Sequence, residues 1–267
     1  MKRVFLTGAS SGIGLAIAKS LSARGDEVWG TSRETARIPQ SPQVHPVRLD
    51  LSDPNSIEQA FQNALSDAGH FDVLINNAGS GHFGAAEHLS NAEIEDQFQI
   101  LVFGQVQLMR LAIAAMRTQE HGLIINVTSL ASRLPVPFMA AYNAAKAAMA
   151  AYTMSIQLEL PDSDVRIVDL QPADILTAFN DAVSKKEEPD SRYKDRVTKT
   201  WTVVDRNMKN APPPELVARH VLRLIDSTNP PPQITVGDAF QSKVAPFIFR
   251  LLPQRVRVWG LKMYYRI

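Results

Sequence analysis

Short apolar runs alternate with longer segments of helical periodicity along most of the chain. Residues 3–7 are apolar and are followed by Gly8-Ala9-Ser10-Ser11-Gly12-Ile13-Gly14, then by an apolar-rich segment from Leu15 to Leu21. This pattern predicts strand, glycine-rich turn and helix. A second strand is expected at 27–32, after the turn Arg24-Gly25-Asp26, and a third at 44–49, ending at Asp50. Asp53 and Pro54 have the residue types of a helix cap and a first helical position, so a helix should run to about residue 68. A fourth strand at 73–75 is closed by Asn76-Asn77-Ala78-Gly79. Further on, the pattern predicts helices over 90–118, 140–160 and 215–227, and strands at 123–127, 165–170 and 233–236.

Strands alternating with helices of ten or more residues predict an α/β fold: a parallel sheet, covered on both faces, with right-handed crossovers. The strands are apolar on both sides, as buried parallel strands must be. No linker divides the chain. Pro212-Pro213-Pro214 and Pro230-Pro231-Pro232 lie too close together to separate domains and bound a helix instead.

Composition narrows the classes. The 267 residues are 45% hydrophobic and 21% charged, enough for a sizeable core without staples. There is no cysteine, which excludes disulfides and thiolate chemistry. A net charge of +1 gives no global case for nucleic acid. The N-terminal apolar run is too short for a signal peptide, and no run approaches the ~20 apolar residues of a membrane span. The expectation is a soluble cytoplasmic protein, or one peripheral to a membrane.

Candidate chemistry concentrates at two places. The first is the glycine-rich turn, where backbone can approach a pyrophosphate and the following helix N-terminus favours negative charge. The second is residues 126–146, which carry Ser129, Tyr142 and Lys146. Tyr142 and Lys146 are four apart and share one helix face. An ammonium beside a phenol favours the phenolate, so the Tyr142 pKa is expected to fall from about 10 toward neutrality. Such a group can move a proton on and off a carbonyl oxygen.

Taken together, these motifs resemble those of the classical short-chain dehydrogenases/reductases. Thr7-Gly8-x-x-x-Gly12-x-Gly14 is similar to that family's cofactor glycine motif, and Asn76-Asn77-Ala78-Gly79 to its Asn-Asn-Ala-Gly motif. Ser129, thirteen residues before Tyr142, has the spacing of the catalytic serine, and Tyr142-x-x-x-Lys146 looks like the catalytic pair. Asp50 resembles the acid that contacts adenine, and Pro172, Ile175 and Thr177 resemble the segment at the nicotinamide. The match covers residues 3 to about 178.

The resemblance implies a single-domain Rossmann-like doubly wound fold with about seven parallel strands. Residues 1–240 would form a dinucleotide-binding catalytic domain, with 178–212 as its variable substrate-side segment and 241–267 as a basic apolar extension. Ser129 would hydrogen-bond the substrate oxygen, Tyr142 would exchange its proton, and Lys146 would lower the Tyr142 pKa and hold the nicotinamide ribose. The implied cofactor contacts are Gly8, Ser10, Ser11, Gly12, Ile13, Gly14, Ser32, Arg33, Asp50, Leu51, Asn77, Ala78, Gly79, Tyr142, Lys146, Pro172, Ile175 and Thr177. No metal is expected. A homo-dimer or homo-tetramer built through the helices at 90–118 and 140–160 is also implied.

Two positions depart from the family. Its fourth catalytic position is Asn in Asn-x-x-Gly, and alignment on Gly104 places Leu101 there. A leucine cannot hydrogen-bond the water that links the lysine to solvent. Either neighbouring groups compensate, or the chain is a nicotinamide-binding regulatory or scaffold protein with weak turnover. The second departure is Ala173 in place of the Gly that usually follows Pro172.

Strand two ends Trp29-Gly30-Thr31-Ser32-Arg33, with no acid before Glu34. An acid there binds the ribose 2′-hydroxyl of NAD, whereas an Arg accommodates the 2′-phosphate of NADP. Ser10, Ser32 and Arg33 therefore predict NADP(H).

The substrate side reads as lipophilic. Phe83, Leu134, Val136, Pro137, Phe138 and Met139, with Tyr193, Val197, Trp201, Val203, Val204 and Met208, are expected to line a pocket or to pack a lid. Residues 184–190 read as charged and solvated, and Arg133 reads as solvated rather than as an anion clamp. The resemblance suggests steroid-, retinoid- or acyl-like substrates. The tail, 241–267, mixes six basic residues with apolar and aromatic ones and has no acid. It predicts either peripheral contact with an anionic membrane or an extension packed on the domain or on a partner subunit.

Overall fold

The central sheet has seven parallel strands, in the order β3 (Val44–Arg48), β2 (Glu27–Ser32), β1 (Arg3–Leu6), β4 (Val73–Asn76), β6 (Gly122–Val127), β7 (Val165–Pro172) and β9 (Gln233–Val236). It is seen in a computed structural model that describes residues 1–160, 165–179, 183–185 and 191–267. The chain winds outward from β1 to β3, then crosses back to β4 and continues the other way. The switch point between β1 and β4 opens a crevice at the carboxyl ends of the strands.

Side-chain alternation in the strands feeds two cores. In β1, Val4 and Leu6 face one side and Phe5 the other. Val4, Leu6, Ile75 and Val168 pack under α1 (Gly12–Ala23) and the helix Glu215–Asp226, which contributes Val217 and Val221. Phe5, Leu74 and Ile124 pack under α2 (Pro54–Ala68), α4 (Gly104–Thr118) and α5 (Ala140–Glu159), which contribute Phe61, Leu108, Met109 and Met149. Each such fully buried side chain contributes roughly 1.5–3 kcal/mol. Helix α2 starts as its sequence predicts: Asp53 accepts from Asn55 N at 2.9 Å and Pro54 takes the first position.

Helix α3 (Asn91–Phe98) runs into α4 through a π-helical turn, Gln99–Phe103. The resulting helix, Asn91–Thr118, is long and apolar enough by length and composition to cross a membrane. That differs from the sequence expectation that no such run exists. Its apolar stripe of Leu108, Met109, Ala112 and Met116 lies in the core against the sheet.

Several elements were not foreseen. Strand β5 (Gly81–Phe83) pairs in parallel with β8 (Val183–Lys185), fastening the segment after the Asn-Asn-Ala-Gly turn to the substrate side. Helix α6 (Ser191–Lys209) follows, and the helix expected over 215–227 is α7 (Glu215–Asp226). Two short helices, α8 (Ala245–Leu251) and α9 (Gln254–Tyr265), close the chain. Ser184 and Lys185 are exposed, as expected, but belong to β8, and Lys185 Nζ stands 3.8 Å over the Trp201 ring. Residues 186–190, read with them, lie outside the described residues.

Candidate functional site

A cavity of about 1040 Å³ spans the carboxyl ends of the strands. Of the expected cofactor contacts, all but Gly14 line it. Gly14 serves from behind: a Cβ there would stand 2.0 Å from the Gly8 carbonyl oxygen, so only glycine lets helix and turn approach this closely. Helix α1 begins at the cavity edge, with no side chain capping its first N–H groups. That leaves an N-terminus suited to a phosphate. Thr7 ties the two motif loops together, its buried hydroxyl accepting from Asn77 N at 2.8 Å and Ala78 N at 2.9 Å. Asn77 returns a bond from Nδ2 to the Thr7 carbonyl at 2.9 Å. Thr7 acts as a clamp that the spacing of the motif alone did not announce.

At the far end of the cradle, Ser32 Oγ donates to Ser10 Oγ at 3.3 Å, and Arg33 lines the wall beside them. Arg37, one turn further on, lines the same wall and was missed. The signal was a second arginine just after strand two. The Ser52 hydroxyl and backbone N–H hold the Asp50 carboxyl below its usual range, assisted by the charges of Arg33 and Arg48. The donor set at this end suits a dianionic phosphate.

Ser129 leaves the end of β6, and its Oγ accepts from Ala131 N at 3.1 Å. Tyr142 and Lys146 project from α5 into the same cavity. The connecting loop is held by Asn143, whose side chain accepts from Val136 N at 3.2 Å and donates to Val136 O at 2.8 Å. That grip supports Phe138 in a left-handed conformation, φ 63°, an unfavourable one for an L-residue. Sequence reading did not single out Asn143.

The expected fall in the Tyr142 pKa does not occur. Burial pushes it up to about 12, against the opposing effect of its hydrogen bond with Ser129. Lys146 is buried too, and burial pushes it down to about 8 although the charge of Asp169 acts the other way. The reason is geometric. Lys146 Nζ donates to Val127 O at 2.8 Å and lies 5.9 Å from the centre of the Tyr142 ring, so desolvation outweighs their attraction. Asp169 is itself buried in β7 and accepts from Thr128 Oγ1, from Gln171 Nε2 at 2.6 Å and from Gln233 Nε2 at 2.9 Å.

Leu101 sits in the π-helical turn, fully buried with Val102 and Ala145 and in contact with Tyr142. Its Cδ2 approaches to 3.1 Å of where a Gly79 Cβ would stand, and Lys146 Nζ lies 4.0 Å from the same point. Leu101 thus brings an apolar side chain to the same side of Gly79 as the lysine. The other departure is matched locally: Ala173 Cβ lies 2.6 Å from where a Gly237 Cβ would be, so the missing side chain at 237 makes room for the extra methyl at 173.

Of the expected substrate-side residues, Leu134, Val136, Met139, Val204 and Met208 line the cavity. Phe83, Phe138, Val197 and Trp201 instead form a separate apolar cluster with Met139 and Phe179, and Tyr193 packs edge-on against Phe138, which fastens α6 down. Val203 is buried, and neither it nor Pro137 lines the cavity. Arg133, read as solvated, donates to Thr235 Oγ1 at 2.7 Å. The remaining wall comes from the C-terminal helices, through residues such as Ile248, Phe249, Leu252, Leu261 and Tyr264. A polar clasp holds this wall. Gln241 Nε2 donates to Asp174 Oδ2 at 2.6 Å, and Asn207 bonds both Asp174 and, at 2.7 Å, Tyr264 Oη. Burial holds the Asp174 carboxyl above its usual range.

Away from the cavity, His70, Asp72 and His121 bring ligand-type atoms within 4.8 Å of one another. The chain's own groups use these atoms: Asp72 accepts from the backbone N–H of Arg3 at 2.7 Å and from Lys2 Nζ at 3.2 Å, and Arg3 Nη1 bonds His70 Nδ1 at 2.9 Å.

Residues 2–188 match the family model described as short chain dehydrogenase. A 3-ketodihydrosphingosine reductase from Bacteroides thetaiotaomicron is 29% identical over 99% of this chain and 98% of its own length. A probable short-chain type dehydrogenase/reductase from Helicobacter pylori is 31% identical over 70% of each chain. Among solved structures, a short-chain dehydrogenase from Streptomyces avermitilis superposes with a TM-score of 0.81 at 26% identity, covering 99% of this chain and 96% of that one. Structures with this fold have been determined with NADP in some cases and with NAD in others.

Proposed function

This chain belongs to the short-chain dehydrogenase/reductase family of nicotinamide-dependent oxidoreductases, and from that premise we propose that it uses NADP(H) to interconvert a ketone and a secondary alcohol on a lipophilic, acyl-chain substrate. The observation that carries this reading is a single cavity joining three parts: the dinucleotide cradle, the group Ser129, Tyr142 and Lys146, and an apolar wall. The full-length similarity to a reductase of a long-chain ketone supports the acyl-like class over the steroid- and retinoid-like ones.

In this reading the first N–H groups of α1 and the turn from Gly8 to Gly14 hold the pyrophosphate. Ser10, Ser32, Arg33 and Arg37 surround the 2′-phosphate, with Asp50 and Leu51 at the adenine. Asn77, Ala78, Gly79, Pro172, Ile175 and Thr177 place the nicotinamide end. Bound NADPH supplies the hydride. Ser129 fixes the substrate oxygen and Tyr142 Oη donates the proton to it. The raised pKa of Tyr142 keeps the phenol protonated at neutral pH, which suits ketone reduction. Lys146 holds the ribose hydroxyls, and its charge steadies the phenolate left after transfer. We further propose a homo-oligomer built on the long helix Asn91–Thr118 and α5, where Phe103 of the π-helical turn and Met154 and Leu158 of α5 are exposed.

A second reading, a nicotinamide-binding regulator with weak turnover, rests on Leu101, an apolar side chain on the same side of Gly79 as Lys146. One experiment separates the two: a panel of long-chain and short-chain ketones, with NADPH and with NADH, followed by loss of reduced-cofactor absorbance. The enzyme reading expects turnover preferring NADPH and long chains, reduced by about 10²–10⁴-fold in Tyr142→Phe. NADPH binding without turnover of any ketone favours the regulator. A clear NADH preference removes the assignment of Arg33 and Arg37.

A further inference from the structure

The two C-terminal helices carry more apolar surface than the cavity can use. Ten of the fifteen exposed large apolar side chains among the described residues lie between Phe240 and Tyr264. Phe247 is 66% exposed, Leu251 68%, Trp259 64% and Met263 63%. Their spacing is ordered. Val244, Phe247, Ile248 and Leu251 fall on one face of α8, and Val256, Trp259 and Met263 on one face of α9. A stripe of this kind is normally turned into a core. Here both stripes are exposed, and exposed apolar surface concentrated in one segment marks an interaction site.

The charges around the stripe identify what it meets. Residues 239–267 contain six basic side chains and no acidic one. Arg257 is used internally: its Nε donates to Leu252 O at 2.7 Å and its Nη2 to Arg250 O at 2.9 Å, joining α8 to α9. Lys243, Arg250, Arg255, Lys262 and Arg266 are exposed. Pairing this face with a second copy across a two-fold axis would set like charges against one another. An anionic bilayer satisfies both features, taking the apolar stripe into its interfacial layer and the lysines and arginines at its headgroups.

The stripe is also continuous with the catalytic cavity. Phe240, Ile248, Val256 and Tyr264 line that cavity and are exposed as well, so they border both surfaces. Phe247, Leu251, Trp259 and Met263 are outside it. One pair of helices thus serves as cavity wall on its inner side and as apolar surface on its outer side.

We propose that α8 and α9 form a docking face for an anionic lipid bilayer, and that the cavity edge bordering this face is where a lipid substrate passes between membrane and active site. The docking stands on the outer face alone. Only the passage of substrate rests on the reaction proposed above.

The test is co-sedimentation of the full chain with vesicles of phosphatidylcholine alone and of phosphatidylcholine mixed with phosphatidylglycerol. Two double variants accompany the wild type: Phe247→Ser with Trp259→Ser, and Arg250→Glu with Lys262→Glu. All four side chains are exposed and outside the cavity, so melting temperature and NADPH binding should match the wild type in both. The wild type is expected to bind the anionic vesicles, weakly or not at all the neutral ones, and less as salt is raised. Each variant should lose more than about tenfold in partitioning. If the serine variant fails to fold, the charge-reversal variant decides the matter. A wild type that stays in the supernatant with anionic vesicles overturns the proposal, and so do variants that bind as the wild type does. A wild type that runs as a larger assembly, which the variants split, assigns the face to a second copy and equally overturns it.

Discussion

At the residue scale, the balance at Lys146 decides how the site responds to pH. Its charge is disfavoured by burial, and Leu101 borders Gly79 on the side where the lysine amine lies. If the charged amine holds the ribose, binding favours the protonated form. NADPH affinity should then be flat below pH 8 and fall above it, by up to about tenfold per pH unit, as the free protein loses that proton. Leu101→Asn places an amide where the leucine stands, eases the desolvation of Lys146 and should move the bend upward by roughly half a unit or more. A fluorescence titration of NADPH across pH reads both. An unmoved bend in the variant would show that Leu101 does not set the environment of the lysine. That Ser129, Tyr142 and Lys146 come together was legible in the sequence as an expectation, and they line one cavity. The sign of the Tyr142 shift was not, because helix spacing reports that two side chains share a face and says nothing of the solvent each has lost.

At the element scale, the strands and helices of the central sheet were read to within a few residues. Each is specified locally, by apolar periodicity and by caps such as Asp53 with Pro54. The β5–β8 pair and α6 were missed for the opposite reason. Three-residue strands have too few positions to show alternation, and α6 carries a strongly polar sequence whose apolar positions meet partners distant in the chain, such as Phe83 with Trp201 at 4.8 Å between ring centres. The clasp between Asp174, Gln241 and Asn207 is likewise a product of assembly. Removing one donor by Gln241→Leu leaves a partly buried carboxylate short of a partner and should cost about 1–3 kcal/mol. For a chain of this size that is a fall in melting temperature of roughly 2–10 °C, readable by calorimetry. No change would mean that Asn207 alone holds the C-terminal wall.

At the scale of the whole molecule, two outward surfaces remain once the sheet is covered. The C-terminal helices form one, and α5 with the π-helical turn before α4 forms the other. Leu158, 82% exposed, is the most open large apolar side chain of the second. Leu158→Arg would set an added charge against its copy across a two-fold interface there. Light scattering should show the wild-type assembly falling to a smaller species, while NADPH binding stays intact. An unchanged mass would overturn the assignment of this face to a subunit contact.

What the sequence determined by itself was the fold class, the order of the seven strands' neighbours in chain sequence, and the residue types at the glycine turn, at Asn76 to Gly79 and at Ser129, Tyr142 and Lys146. These are local patterns, set by periodicity and fixed spacing within single elements. Only the tertiary structure decided how those groups meet: that Thr7 clamps two loops, that burial outweighs the lysine's pull on the tyrosine, that Gly237 makes room for Ala173, and that the basic tail walls the cavity with one side while baring an apolar stripe on the other. Each of these depends on distances between segments far apart in the chain, and on how much water their packing removes.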